Sequence, residues 1–256
     1  MPVYQLDANE YWFPPVSEAI DDPQGLLAIG GDLSVPRLLH AYQCGIFPWF
    51  SEQDPILWWA PSPRMVVAPD EIHVSKSMFK LIRKTPLVVT MDQAFERVVS
   101  ACGSTPRGDQ LSQDSWITPE MQHAYTQLYQ GGYAHSVEVW AGGELVGGLY
   151  GIALGRLFFG ESMFSKVDNA SKIAFIHLGR RLAQWGFVLI DCQMHTQHLA
   201  SLGAKEVEME DFQNLFGAPV SNGGLPITQW RKVELRRSPM LEKEVGETDP
   251  GAAYPS

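Results

Sequence analysis

Three consecutive segments in the middle of the chain carry apolar residues in a pattern typical of β-strands. They read SVEVWA, ELVGGLYGIAL and RLFFGESMF, and Gly142-Gly143 and Gly155 separate them. Strand-like segments joined by short glycine turns predict an antiparallel meander. ASKIAFIHLGRRLAQW then predicts a helix with Asn169 as its N-cap and Gly186 at its end, and FVLIDCQ predicts a short buried strand. A meander followed by a helix and a buried strand indicates an α+β fold.

Shorter helices are predicted over 36–44, 75–84 and 119–130. The second, SKSMFKLIRK, has Ser75 as its N-cap. At about 100° per residue its basic side chains fall on one arc and its apolar side chains on the opposite one. The basic arc contains Lys76, Lys80, Arg83 and Lys84, and the apolar arc contains Met78, Phe79, Leu81 and Ile82.

Composition along the chain suggests a small domain, a larger domain and a tail. Residues 1–62 are rich in proline, glycine and aromatic residues and predict a small, irregular N-terminal domain. The stretch PSPR at 61–64 punctuates the change of pattern, so we place the second domain at 63–238. Residues 103–115 form a polar insertion that predicts a mobile loop, and 239–256 have little to bury and predict a disordered tail.

Overall composition and charge restrict the class of protein. The 256 residues are 45% hydrophobic and 19% charged, which is ample for a buried core. Neither a targeting signal nor a run of about 20 apolar residues is visible, so no membrane association is expected. Cys44, Cys102 and Cys192 are widely spaced, which argues against a disulfide framework and predicts a reducing cytoplasm. With a net charge of -10, any contact with nucleic acid must come from a local basic patch.

The end of the predicted buried strand carries polar residues with chemical potential. Strand alternation puts Asp191 and Gln193 on one face and Cys192 on the other. A buried carboxylate is costly unless it is paired or used, so Asp191 either pairs with a core group or takes part in chemistry. Cys192 is interpreted as a small buried hydrophobe in preference to a nucleophile. His195 and His198 have no third ligand in the sequence, and no metal site is predicted.

Glu161 is a second carboxylate in an apolar strand, with solvent exposure as the alternative interpretation. Aromatic residues near turns and helix starts offer surfaces on which unpaired bases could stack, although most large aromatics belong to a core. These residues are Trp49, Trp58, Trp59, Trp116 and Tyr125.

From about Phe13 to Gly203 the sequence resembles the leucyl/phenylalanyl-tRNA–protein transferases. The motifs that carry the resemblance occur in order along the chain. They include GLLAIGGDLS (25–34), RLLHAYQCGIFPWF (37–50), PILWWAPSPR (55–64), SWIT (115–118), HSVEVW (135–140), ELVGGLYG (144–151), FFGESMFS (158–165), NASKIA (169–174), LIDCQ (189–193) and SLGA (201–204). The resemblance implies a small N-terminal domain joined to a catalytic domain of N-acetyltransferase-like fold. The loop at 103–115 and the C-terminal tail depart from the family's pattern.

The resemblance implies transfer of Leu or Phe, and less well Met, from aminoacyl-tRNA to proteins that begin with Lys or Arg. This addition marks the acceptor for degradation in the N-degron pathway. The charged tRNA is an activated ester, so neither ATP nor another cofactor is needed. We expect a cytoplasmic monomer without a membrane partner.

The same resemblance assigns roles to matched residues. Gln193 would hydrogen-bond the attacking amine, while Asp191 would polarise Gln193 and favour a cationic acceptor. The residues expected to hold the terminal adenosine and the ester are Trp49, Trp116, Tyr125 and Glu161. The residues expected to form the side-chain pocket are Leu149, Phe158 and Ile190. Because alternation separates Phe158 from Glu161, we predict a β-bulge at Gly160 that brings both into one site.

Two other functions fit parts of the sequence. A CoA-dependent N-acyltransferase would have a glycine-rich turn for pyrophosphate between meander and helix, but the turn here is SKVDNAS and contains Asp168. A non-catalytic adaptor that binds tRNA or degrons would use the aromatic and basic features and leave Asp191 and Gln193 without a task. Phosphate contacts of the tRNA are expected at Lys76, Lys80, Arg83 and Lys84.

Overall fold

The computed structural model describes residues 3–105 and 116–215 and the backbone of 234–235. Over these residues the chain is a mixed α+β structure with two β-sheets. The described strands are β1 Tyr4–Leu6, β2 Leu26–Gly30, β3 Phe47–Pro48, β4 Leu57–Trp59, β5 Arg64–Val67, β6 Val88–Met91, β7 Ala134–Ala141, β8 Glu144–Leu154, β9 Leu157–Ser165, β10 Leu189–Gln193, β11 Lys205–Val207 and β12 Glu234–Leu235. The described helices are α1 Val35–Gln43, α2 Lys76–Lys84, α3 Phe95–Ser104, α4 Pro119–Gln130, α5 Ala170–Gln184, α6 Gln197–Ala200 and α7 Met209–Asn214, with a 3-10 turn at Val16–Glu18.

The N-terminal sheet has four strands in the order β1-β2-β4-β3. Its centre is the fully buried Trp58, whose ring meets Phe13 edge-on and whose indole N–H donates to the carbonyl oxygen of Gly30 at 2.9 Å. Buried residues of this sheet and of α1 form one hydrophobic cluster with residues of the second sheet and of α4, including Phe159 of β9 and Tyr125 of α4. The two sheets therefore share a core.

The larger sheet has the order β11-β5-β10-β9-β8-β7-β6-β12. The predicted meander is confirmed, since β7, β8 and β9 pair antiparallel in sequence, and α5 connects β9 to its parallel neighbour β10. Asn169 is the N-cap residue of α5, as predicted, but it lies in the left-handed region at φ 64° and its side chain makes no capping hydrogen bond. The hydroxyl of Ser165 instead accepts a hydrogen bond from the backbone N–H of Ser171 at 3.1 Å.

A β-bulge interrupts β9 where the sequence predicts one. Tyr150 of β8 pairs with Ser162, whereas the next residue, Gly151, pairs with Gly160. Glu161 is therefore the extra residue of the bulged strand. A Cβ on Gly151 would lie 2.2 Å from the carbonyl oxygen of Phe159, so only glycine fits opposite the bulge.

Helix α2 begins as predicted, because the Ser75 hydroxyl accepts from the backbone N–H of Met78 at 3.2 Å. Met78 is the buried residue of its apolar arc, whereas Leu81 is exposed. The four basic side chains predicted to share the other arc are all exposed. A charged surface therefore runs along the solvent side of this helix.

Some predictions fall on other parts of the chain. Helix α3 extends to Ser104, and the rest of the predicted mobile loop, 106–115, lies outside the described residues, as does the predicted disordered tail at 239–256. The division at 62/63 stays a prediction. Among the described helices, none has the length and apolar character needed to cross a bilayer.

Candidate active site

A cavity of about 950 Å³ opens where the two sheets meet. Its wall is formed by the β3–β4 turn of the first sheet, by β8, β9 and β10 of the second sheet, and by α5 and α6. The sequence-predicted site residues that line it are Trp49, Trp116, Leu149, Phe158, Glu161 and Gln193. Residues more than 140 positions apart in the chain thus meet around one space.

Glu161 and Gln193 form the polar part of the wall. The side-chain amide nitrogen of Gln193 donates to Glu161 Oε1 at 2.9 Å. The hydroxyl of Tyr125 donates to Glu161 Oε2 at 2.7 Å, and the hydroxyls of Tyr125 and Tyr42 are 2.6 Å apart. Because Tyr125 uses its only proton on the carboxylate, Tyr42 is the donor to Tyr125. A chain of hydrogen bonds therefore runs from α1 through α4 to the cavity.

The protonation of Glu161 depends mainly on its burial. Burial raises the pKa of Glu161 to about 7, although hydrogen bonds from the tyrosines act in the opposite direction. Burial also raises the pKa of both Tyr42 and Tyr125 well above its ordinary value, so these hydroxyls stay protonated as donors. Glu161 is thus a carboxylate whose charge changes near neutral pH.

Asp191 does not line the cavity, in contrast to its predicted role. Its side chain is fully buried and accepts from Arg64 twice, at 2.9 Å from Nε and at 2.7 Å from Nη2. Its Oδ1 also accepts from the backbone N–H of Gln193 at 2.8 Å. Asp191 therefore contacts Gln193 through the backbone N–H, whereas the side-chain amide of Gln193 is bound by Glu161.

The physical reason is a break in strand alternation. The register of β10 against β5 shifts between Asp191 and Gln193, and Gln193 adopts a left-handed backbone with φ 62°. Its side chain therefore turns toward Glu161 and the cavity. Simple alternation could not reveal this turn.

Arg64 is the buried partner that sequence reasoning missed. Its guanidinium lies between the ring of Phe47, at 4.7 Å from the centroid, and the ring of Phe212, at 5.0 Å. The sequence did contain a signal, because a carboxylate in an apolar strand requires a partner. Nothing in the spacing indicated that the partner follows the PSP segment 127 residues earlier.

Cys192 lies on the opposite side of β10 from Asp191, as predicted, and packs against a second cluster of buried hydrophobic residues that includes Phe158, Phe175 and Ile190. It nevertheless contributes to the cavity wall. Burial raises the pKa of its thiol, with the nearby Asp191 carboxylate acting in the same direction. The thiol stays protonated, which argues against a nucleophilic role.

The apolar part of the cavity differs in part from the predicted pocket. Leu149 and Phe158 line it, but Ile190 is fully buried behind the wall. Helix α5 supplies two apolar lining side chains that the sequence did not single out, Phe175 and Leu178. Their signal was weak, because a helix in contact with a sheet shows the same apolar spacing with or without a cavity.

The aromatic residues also divide into two groups. Trp49 is 37% exposed and meets Trp59 edge-on, with ring centroids 5.5 Å apart. Trp116 lies in the cavity wall as well. Tyr125 is fully buried beneath Glu161, so the predicted direct contact with a ligand does not fit this residue.

The charge of the described cavity wall is negative. Asp54 and Glu161 contribute carboxylates, and no Lys or Arg belongs to the described lining. Two hydrogen bonds from Ser51, one from its hydroxyl and one from its backbone N–H, lower the pKa of Asp54. The basic arc of α2 belongs to another part of the surface. Within the described ranges, no group of three or more His, Cys, Asp or Glu is arranged to hold a metal ion.

Comparison with known proteins supplies the context for this cavity. A family model described as Leucyl/phenylalanyl-tRNA protein transferase matches residues 66–217, and its N-terminal domain model matches 31–62. A leucyl/phenylalanyl-tRNA–protein transferase of Pseudomonas fluorescens (strain Pf-5) is 58% identical over 209 residues, which cover 82% of this chain and 91% of the relative. The protein of that name from Nitrosospira multiformis is 58% identical over 205 residues, covering 80% and 87% respectively.

Proposed function

Since this chain belongs to the leucyl/phenylalanyl-tRNA–protein transferase family and is an aminoacyltransferase, we propose that it moves Leu or Phe, and less well Met, from tRNA to acceptor proteins with N-terminal Lys or Arg. The observation that carries the proposal is the pair formed by Gln193 and Glu161 on the wall of the cavity.

In the proposed reaction the α-amino nitrogen of the acceptor attacks the ester carbonyl carbon of aminoacyl-tRNA. An amide bond forms, the bond from the carbonyl carbon to the ribose oxygen breaks, and the proton lost by nitrogen ends on that oxygen. An α-amino group has a reference pKa of about 7.7–8.0, so a useful fraction is neutral near pH 7. Orientation and a proton acceptor then supply most of the catalysis.

Gln193 is the positioning group for the amine. Its amide nitrogen is held by Glu161, so its amide oxygen is the atom that can accept a hydrogen bond from an N–H in the cavity. An amide is a poor base, and Glu161 is the better proton acceptor because its pKa is about 7. We assign Glu161 the task of taking up the amine proton and returning it to the leaving oxygen.

Selection of a cationic acceptor follows from the charge of the cavity wall. The carboxylate of Asp54 lies in the wall with Trp49, whose exposed ring offers a second favourable surface for a cation. The charge of Asp191 is neutralised by Arg64, so Asp191 does not contribute to this selection. The negative wall also disfavours the pyrophosphate of CoA, which weakens the acyl-CoA alternative.

The remaining parts of the substrate are assigned by chemistry. The transferred side chain occupies the apolar region around Leu149, Phe158 and Leu178, and the adenine stacks on Trp49 or Trp116. Phosphates farther along the tRNA contact the exposed basic arc of α2. The product is an acceptor marked for degradation in the N-degron pathway.

We also propose a domain organisation, an oligomeric state and a cellular location for the protein. The chain is divided into a small N-terminal domain at 1–62, a catalytic domain of N-acetyltransferase-like fold at 63–238 and a disordered tail at 239–256. The protein is a monomer located in the cytoplasm.

The test is incubation of the purified protein with radiolabelled Leu-tRNA and short peptides, without ATP, CoA or added metal. Peptides that begin with Arg or Lys should be labelled, and an otherwise identical peptide that begins with Asp should not. Equal labelling of the three peptides would contradict selection by charge. Absence of labelling, with acetyl-CoA supporting acylation instead, would favour the CoA-dependent alternative.

A further inference from the structure

The buried ion pair between Arg64 and Asp191 has a high desolvation cost for a pair of core residues. Both side chains are fully buried, and the guanidinium bridges both carboxylate oxygens. Removing two charges from water costs so much that well-packed apolar residues often stabilise a fold equally well. The pair therefore requires an explanation beyond stability, and its position beside Gln193 supplies one.

Gln193 holds a backbone conformation that glutamine rarely adopts. Its φ of 62° lies in the left-handed region, where a side chain with a Cβ is strained. Such conformations persist where the surroundings fix them, and they cluster at functional sites. Here the backbone N–H of Gln193 donates to Asp191 Oδ1 at 2.8 Å, and the same oxygen accepts from Arg64 Nε at 2.9 Å.

The left-handed turn has a direct effect on the cavity wall. It directs the side-chain amide of Gln193 to Glu161 on the cavity wall, whereas the side chain of Asp191 is fully buried outside the cavity lining. If Asp191 rotated, the N–H of Gln193 would lose its acceptor and the strand could relax toward regular alternation. The orientation of the reactive amide thus depends on the orientation of a carboxylate outside the cavity.

Arg64 is fixed from three directions. Asp191 holds its edge, while Phe47 of β3 and Phe212 of α7 cover its two faces. Arginine suits this place because its planar fork binds a carboxylate with two parallel hydrogen bonds and stacks between rings. A lysine in the same space offers one ammonium group without the planar fork.

We propose that Arg64 is a positioning residue for aminoacyl transfer. Arg64 fixes the orientation of Asp191, and Asp191 in turn holds Gln193 in its left-handed conformation. This conformation directs the Gln193 amide toward Glu161 and the substrate. The inference rests on the proposed function, because it assumes that Gln193 orients the amine.

The main test compares Arg64→Lys with Arg37→Lys in the full-length protein. Arg37 is also fully buried and ion-paired, to Asp32 at 3.2 Å, but it lies outside the described cavity lining. We expect Arg64→Lys to lower kcat for transfer to an Arg-initiated peptide by about 10- to 100-fold, the usual range for a displaced catalytic group. The KM for Leu-tRNA should change less than two-fold, and Arg37→Lys should keep wild-type kcat.

The pH dependence of kcat distinguishes the effect of the Arg64 charge on Glu161 from the effect of Arg64 on the orientation of Gln193. The groups that act on the pKa of Glu161 include Tyr125, Tyr42, Asp191 and Arg64, and the charge of Arg64 lowers it. Arg64→Met should therefore move the acid limb of the profile to higher pH, whereas Arg64→Lys should leave the limb in place. The double variant Arg64→Met/Asp191→Leu removes both charges, so its limb should return toward wild type while kcat stays low.

Wild-type kcat in Arg64→Lys, or an equal loss of kcat in Arg37→Lys, would overturn the inference. If Arg64→Lys melts below the assay temperature, the double variant decides, because it leaves no unpaired buried charge, and retained kcat would be contrary evidence. Failure of the wild-type protein to label the Arg-initiated peptide would instead count against the proposed function.

Discussion

Glu161 accepts hydrogen bonds from Tyr125 and Gln193, and replacing it by glutamine should reverse one of them. In Glu161→Gln the new amide keeps its oxygen toward the Tyr125 hydroxyl and presents an NH₂ group to Gln193. The amide of Gln193 then flips to offer its oxygen to this donor, and its NH₂ faces the substrate amine. We expect kcat to fall 100-fold or more, as for loss of a positioned polar group, with unchanged tRNA affinity.

The measurement is single-turnover transfer from Leu-tRNA, with tRNA binding measured in parallel. Cys192→Ala is the matched control, since its protonated thiol also lines the cavity and should be dispensable. Loss of activity in the cysteine variant with retention in Glu161→Gln would point to a covalent mechanism.

The same substitution should change how stability depends on pH. The pKa of Glu161 is raised from an ordinary 4.5 to about 7, so the folded state holds this proton more tightly than the unfolded state. Below about pH 4.5 both states are protonated and burial has no ionic cost. As pH rises toward 7 the unfolded state ionises first, and wild type loses roughly 3 kcal/mol relative to Glu161→Gln at 1.36 kcal/mol per unit.

Urea unfolding of both proteins at pH 5 and pH 8 measures this difference. Wild type should lose stability relative to the variant at the higher pH. Parallel unfolding free energies across the range would show that Glu161 titrates normally.

Individual residue types indicated chemistry more reliably than they indicated contacts. Glu161 and Asp191 were selected as carboxylates in apolar strands, and both are buried and hydrogen-bonded. Which of them lies beside the Gln193 amide on the cavity wall depended on the left-handed turn at Gln193, a backbone property that alternation does not include. The partner of Asp191 came from another strand, which no local pattern specifies.

Elements were predictable where their signal is local. The meander, the bounds of α4 and the Ser75 cap follow from periodicity, turn glycines and capping chemistry. The bulge in β9 was predictable because regular strand alternation would place Phe158 and Glu161, which were expected in one site, on opposite faces of the strand. The position of the α5 N-cap at Asn169 was predictable as well, but its hydrogen bond was not, because Ser165 accepts from the first turn through a contact that depends on how β9 ends.

Helix α2 permits a test of the proposal that an exposed basic arc binds tRNA phosphates on a protein of net charge -10. Arg83 and Lys84 are exposed in its last turn. Replacing both by alanine should lower the affinity for Leu-tRNA and reduce the slope of log affinity against log salt by about 0.7–0.9 for each phosphate that is no longer neutralised. Choice of the transferred amino acid should not change, because phosphate contacts do not read the aminoacyl group.

Filter binding across a salt series provides the measurement. A suitable control is Lys205→Ala, because Lys205 is an exposed cation already paired with Glu71. If the binding curves of wild type and the double variant superimpose at every salt concentration, the basic arc does not bind phosphate and only keeps this face of the helix solvated.

Across the whole molecule, the two sheets are joined at the site itself. Tyr42 of α1 donates to Tyr125 of α4, and the Tyr42 ring meets Phe159 of β9 edge-on at 5.3 Å. Tyr42→Phe should remove about 1 kcal/mol of stability, as one hydrogen bond commonly contributes. It should also raise the pKa of Glu161, because the Tyr42 hydroxyl, at the far end of the hydrogen-bond chain, lowers that pKa.

The expected result is a kcat profile whose acid limb lies at higher pH in Tyr42→Phe than in wild type. Tyr11→Phe serves as the control, since Tyr11 is exposed in the same N-terminal region. An unshifted limb would confine Tyr42 to a packing role.

Sequence alone thus indicated an α+β fold and six residues of the cavity wall, because motif matches and periodicity identify residues one at a time. It could not show that the first 62 residues share a hydrophobic cluster with the larger sheet. Ile190 and Tyr125 were misplaced for the same reason, since lying in front of or behind a wall is decided by tertiary packing.

The hydroxyl contact between Tyr42 and Tyr125 also bears on inheritance. A proton donor contributed by the N-terminal region tunes a carboxylate encoded more than a hundred codons later, so neither region can drift freely without the other. Chimaeras that join the first 62 codons of one relative to the remainder of another should work when both tyrosines and the packing around them are retained. We therefore expect recombination within this gene to be tolerated when the two joined regions retain matching contacts, and to be selected against when they do not.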